Sequence, residues 1–166
     1  SLPAKIGMPR KRKFKQGNES SPPDSSGYIL FKKLTEDHRK PIYAVRFNFT
    51  DLRHRNMFAT VGGDRASVYR LREEGVELVQ KYYDENSAEE LYACAWSYNQ
   101  DTGAPWLLTA GRLGIVKVID CHRMKVVREL IGHSDDINEI QIHPRDRHIL
   151  LTCSKDYSAR IWSIKS

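Results

Sequence analysis

The stretch from Gly132 to Ile164, GHSDDINEIQIHPRDRHILLTCSKDYSARIWSI, limits what this chain can fold into more than any other. It opens on Gly132-His133 and closes on Ile161-Trp162, with two short alternating segments and a tight turn at Lys155-Asp156-Tyr157 between them. Apolar residues at every second position, interrupted by turn residues, predict short antiparallel strands. An indole and an imidazole among such strands need hydrogen-bond partners wherever they are buried.

The pattern resembles one blade of a WD-repeat propeller. In such blades the Gly-His histidine, a hydroxyl on the second strand, the turn aspartate and the third-strand tryptophan link by hydrogen bonds. Here those residues are His133, Thr152 or Ser154, Asp156 and Trp162. A lone Gly-His or Ile-Trp pair carries little information; the whole constellation is specific.

Two earlier passes repeat the cycle. Strands are expected at 28–34, 41–49, 57–63, 66–71 and 76–83, and then at 91–98, 106–111, 115–120 and 125–131. Phe47, Trp96 and Ile142 hold equivalent places on the first strand of each pass. Thr60, Thr109 and Thr152 do so on the second, and Tyr69, Ile119 and Trp162 on the third. The intervals are roughly 43–50 residues, near blade length, with insertions in loops 50–56 and 99–105. Tyr69 and Ile119 replace the third-strand tryptophan, and Leu113 stands where the last pass has Asp156. The polar network is therefore expected to be complete only in the third blade, with strand pairing and apolar packing holding the other two.

The expected fold class is an all-β WD-repeat β-propeller with about three blades present. Propeller rings close with four to eight blades. The sequence stops after the third strand of the last pass, so that blade is expected to lack its last strand. An open sheet edge and an apolar blade face follow, to be covered by blades from a longer protein or a separate chain. The division is a tail at 1–27 and blades at 28–166.

The tail, rich in Pro, Gly, Ser and basic residues, is expected to be disordered. Its cluster Arg10, Lys11, Arg12, Lys13 and Lys15 carries much of the net charge of +6. It reads as a nuclear localisation signal or a nucleic-acid contact, or as a solvated arm. Cys94, Cys121 and Cys153 are too widely spaced for a disulfide framework, which suits a reducing compartment. No apolar run approaches a membrane span.

No catalytic pattern stands out. The sequence has no glycine-rich phosphate loop, nucleophile elbow or H-E-x-x-H. None of its histidines pairs with a cysteine at zinc spacing. No catalysis, metal or cofactor is expected.

Four residues before the first-strand anchors stand Tyr43, Tyr92 and Asn138. The first strand of a blade is innermost, so its start lies at the mouth of the channel. Two adjacent blades thus each offer a tyrosine at one height. Aromatic faces attract a methylated ammonium ion, at roughly 0.5–2 kcal/mol per ring. The loop carrying Asp84, Glu85, Glu89 and Glu90 precedes Tyr92 and suits a basic peptide, with Asn138 on the same rim. The alternative is that both tyrosines merely pack between blades.

The segments EDHRKPIYAVRFNF, MFATVGGDRASVY, LYACAWSY, GHSDDINEIQIHPRD and LLTCSKDYSARIW resemble the Extra sex combs family, in register from about residue 34 to 164. The resemblance implies a seven-bladed, non-catalytic core subunit of Polycomb repressive complex 2, in the nucleus. It implies that one face holds the Enhancer of zeste methyltransferase subunit. It further implies that the other face reads a trimethyl-lysine on a histone H3 tail and stimulates the enzyme. Of the four aromatics of the family's cage, Tyr43 and Tyr92 match two, and the others fall in a later blade. The Suppressor of zeste subunit is a further candidate partner. Two other readings use the same residues: a general WD platform, such as a ubiquitin-ligase substrate adaptor, and nucleic-acid binding through the tail.

Overall fold

The computed structural model describes Gly27 and residues 29–165; the basic cluster at residues 10–15 lies outside the described residues. Among the described residues, eleven strands form three antiparallel sheets, each a meander of sequence neighbours. The first sheet is β1 (Ala44–Phe47), β2 (Met57–Gly62), β3 (Arg65–Arg72) and β4 (Gly75–Tyr83). The second is β5 (Leu91–Tyr98), β6 (Pro105–Gly111), β7 (Ile115–Asp120) and β8 (Lys125–Ile131). The third is β9 (Ile137–Ile142), β10 (Ile149–Ser154) and β11 (Ala159–Ser163).

The repeat alignment read from the sequence is the hydrogen-bonded register. Phe47 pairs with Phe58 and Phe58 with Tyr69; Trp96 pairs with Leu107 and Leu107 with Ile119; Ile142 pairs with Leu150 and Leu150 with Trp162. One expected strand is absent. Residues 29–34 are not in a strand, and Ile29 and Phe31 are each 70% exposed. Alternating apolar residues make a strand only where a sheet edge accepts their backbone, and among the described residues none pairs with this segment.

Two cores lie between the sheets. Ala59, Val61 and Val68 of the first sheet pack with Cys94, Trp96 and Leu107 of the second. Ala93, Leu108 and Val118, on the opposite face of the second sheet, pack with Ile137, Ile140 and Leu150 of the third. The middle sheet is therefore covered on both sides, which is why β6 is buried along its whole length. Side-chain bonds also tie the sheets: Trp96 Nε1 donates to Arg46 O (2.9 Å), and Ser97 Oγ donates to Arg147 O (2.6 Å). The outer faces are open, with Val45 and Phe47 exposed on the first sheet and Leu151 and Ile161 on the third.

Candidate functional site

Tyr43 and Tyr92 sit where β1 and β5 begin. Their placement depends on two glycines. A Cβ at Gly62 would lie 2.1 Å from Pro41 O, and one at Gly111 would lie 1.9 Å from Glu90 O. Both distances are far inside contact range, so only glycine lets the incoming chain cross the end of the second strand this closely. The backbone just before each tyrosine is held there. Thr60-Val61-Gly62 and Thr109-Ala110-Gly111 share this spacing, a signal that the sequence contained and that the anchor alignment passed over. The third blade has Ser154 at the corresponding place, opposite Ile137 at a register shift.

The two phenol rings meet at one corner. Their centroids are 5.0 Å apart and their planes lie at 89°. Glu90 joins them: Tyr43 donates its hydroxyl to Oε1 (3.2 Å) and Tyr92 to Oε2 (3.3 Å). Tyr43 is 48% exposed and Tyr92 is half-buried. Burial first, and the Glu90 carboxylate second, raise both phenol pKa values, that of Tyr92 to about 12. Both hydroxyls therefore stay protonated donors, and the rings remain neutral walls.

The other expected rim residues divide. Asn138 and Glu85 are exposed. Asp84 is not at the disposal of a peptide: its side chain is 4% exposed and paired with Lys117 at 2.6 Å. Glu89 does not belong to the rim either. It is buried, and it accepts from Leu113 N (3.2 Å) and Glu90 N (3.0 Å). Two backbone donors without another acceptor draw the carboxylate inward, and burial raises its pKa.

The third blade's network forms as a relay of donors. Trp162 Nε1 donates to Thr152 Oγ1 (2.9 Å), Thr152 donates to His133 Nε2 (2.8 Å), and His133 Nδ1 donates to Asp156 (2.7 Å). Thr152, not Ser154, is the hydroxyl in this relay. Ser154 Oγ instead donates to Asp135 O (3.0 Å) and accepts from Asp156 N (3.1 Å). Ser158 adds a further bond to Asp156 (2.6 Å). Its hydroxyl bond leads the interactions that depress the Asp156 pKa, with His133 following, against the opposing effect of burial.

The first blade departs from expectation, because it has a polar network of its own. Glu36 accepts from Thr60 Oγ1 (2.7 Å) and Tyr69 OH (2.5 Å) through one oxygen, and from Ser67 Oγ (3.2 Å) through the other. Glu36 reaches the second-strand threonine from before the first strand, as His133 does. Aligning only the tryptophan and aspartate positions hid it, since Tyr69 and Thr60 require an acceptor rather than the histidine itself.

The match to known families agrees with this architecture. Residues 124–163 match the model of the WD domain, G-beta repeat. The fold and this match define three blades of a WD-repeat propeller. The chain is 38% identical to the Polycomb protein esc of Musca domestica over 159 residues, covering 95% of this chain and 37% of that protein. It is 42% identical to the Polycomb group protein FIE2 of Zea mays over 133 residues, covering 80% and 35%. Among solved structures, ctPRC2 in complex with H3K27me3 and H3K27M aligns at a TM-score of 0.68 with 29% identity, covering 74% of this chain and 27% of that one. The chain belongs to the Extra sex combs family of Polycomb WD-repeat proteins. It spans little more than a third of the length of these curated relatives.

Proposed function

We propose that this chain is part of a non-catalytic, nuclear WD-repeat subunit of polycomb repressive complex 2. Its blades help to hold the Enhancer of zeste methyltransferase subunit, and Tyr43 and Tyr92 supply two walls of a trimethyl-lysine site on a histone H3 tail. The observation that carries the reading is the perpendicular pair of rings on adjacent blades, 5.0 Å apart and tied to one carboxylate. Aromatic walls suit a trimethylammonium because it has no N–H to satisfy and is drawn to ring faces. Glu85 and Glu90, on the accessible part of the loop, favour a basic peptide. Further walls come from segments beyond these three blades. Stimulation of the methyltransferase follows if the peptide binds more tightly when the catalytic subunit is in its active state.

The test is calorimetry of the complete ring with a trimethyl-lysine histone H3 peptide. Tyr92→Ala is expected to weaken binding by about 1–2 kcal/mol while the circular dichroism spectrum is kept. Unchanged affinity in a folded variant removes Tyr92 from the site. Recovery of the Enhancer of zeste subunit from nuclear extract supports the scaffold role; recovery of ubiquitin-ligase components instead would point to a general adaptor.

A further inference from the structure

The family resemblance accounts for the two rings but assigns no role to the carboxylate between them. Glu90 is half-buried, and none of the ion pairs among the described residues includes it. The two phenols use one lone pair on each of its oxygens, and an ionised carboxylate has about four acceptor positions. Glu90 thus retains acceptor capacity within one hydrogen bond of both ring edges.

We propose that Glu90 sets which methylated ammonium the Tyr43–Tyr92 corner takes: its carboxylate pairs with the N–H of a mono- or dimethyl-lysine and raises the dimethyl form relative to the trimethyl form. The inference rests on the reader role proposed above. A trimethylammonium has no N–H and gains only the attraction of rings and charge. A dimethylammonium keeps one N–H, which walls made only of rings would leave unpaired once water is displaced, at a cost in free energy. A fixed carboxylate removes that cost through a charge-assisted bond. The phenols also hold Glu90 in place, so little side-chain freedom is lost when the ligand arrives. Burial leads the rise in both tyrosine pKa values and the Glu90 charge adds to it; that charge favours any cation in the corner. The N–H bond is what distinguishes one cation from another.

The experiment is calorimetry on the complete propeller that contains these three blades and on its Glu90→Gln variant, with histone H3 peptides whose target lysine carries zero, one, two or three methyl groups. Glutamine keeps the size of the side chain and can bond both phenols, so the corner is retained; ring resonances of Tyr43 and Tyr92 check this. Glu90→Gln is expected to weaken the dimethyl peptide about tenfold, the equivalent of a charge-assisted hydrogen bond, and the trimethyl peptide much less. Equal losses for both peptides would make Glu90 a through-space charge only and overturn the proposal, as would no loss for either. If trimethyl binding still depends on Tyr92 in that case, the reader role stands and the Glu90 assignment alone falls. If no methylated peptide binds the complete parent propeller better than the unmethylated one, both fall.

Discussion

The first and third blades solve one problem with different chemistry. In each, a side chain preceding the first strand reaches a buried threonine on the second. In the third blade it is His133, between Thr152 and Asp156, with the Trp162 indole at the far end of the relay. In the first it is Glu36, which takes hydroxyls from Thr60, Ser67 and Tyr69 directly. A neutral imidazole has one donor and one acceptor, so it must pass its proton side to an aspartate. A carboxylate accepts on both oxygens and needs no relay. The fold therefore asks for balanced donors and acceptors at this place, and the WD signature is one solution among several. The second blade provides a third: Glu89 turns to the backbone of Leu113.

Breaking each network separates these solutions. His133→Ala has the largest expected effect, about 3 kcal/mol, because it leaves the Thr152 hydroxyl without its acceptor and Asp156 without its ring donor. The urea midpoint of the full chain reads it. Glu36→Gln should cost less, about 1 kcal/mol, because one amide oxygen still takes Thr60 and Tyr69 while Ser67 can turn to accept from the amide nitrogen. If the two losses were equal, the carboxylate would be acting chiefly through its charge.

The smallest effect lies in pH dependence, where the two acids have opposite signs. The Asp156 pKa is depressed in the fold, so its contribution is present above the unfolded value of about 3.9 and is lost as pH falls below it. The Glu89 pKa is raised by burial. Between its unfolded value of about 4.3 and its higher folded value, the native state holds more protons, so stability declines as pH rises through that window. Stability measured from pH 3 to 7 should therefore show a shallower acid-side fall in Asp156→Asn, with Asp37, Asp51 and Glu77 still contributing to it, and a smaller decline with rising pH in Glu89→Gln. A common response in both variants would contradict the two environments.

Much of this was legible in the residues. Phe47, Trp96 and Ile142 gave the blade register because side-chain direction repeats every two residues and a one-residue slip would turn the core outward. The tyrosine pair was legible for the same reason, as equivalent positions on neighbouring repeats. Of the strand expected at 28–34, residues 29–34 form none, because alternation describes a face and cannot supply the missing edge. Asp84 and Glu89 were read as rim residues because acidic loop residues are usually solvated; Lys117 and two backbone N–H groups instead draw them in.

The sequence by itself determined the strands of the three blades, their order and the positions that face each other, since these follow from local periodicity and repeat spacing; it could not show that residues 29–34 lack an edge to pair with. Only the tertiary structure decided which polar groups meet. That Glu36 serves Thr60, that Ser154 leaves the relay to Thr152, and that Glu90 stands between two phenols depend on hydrogen-bond balance among residues distant along the chain. A buried donor takes whichever acceptor the packed sheets bring within about 3 Å.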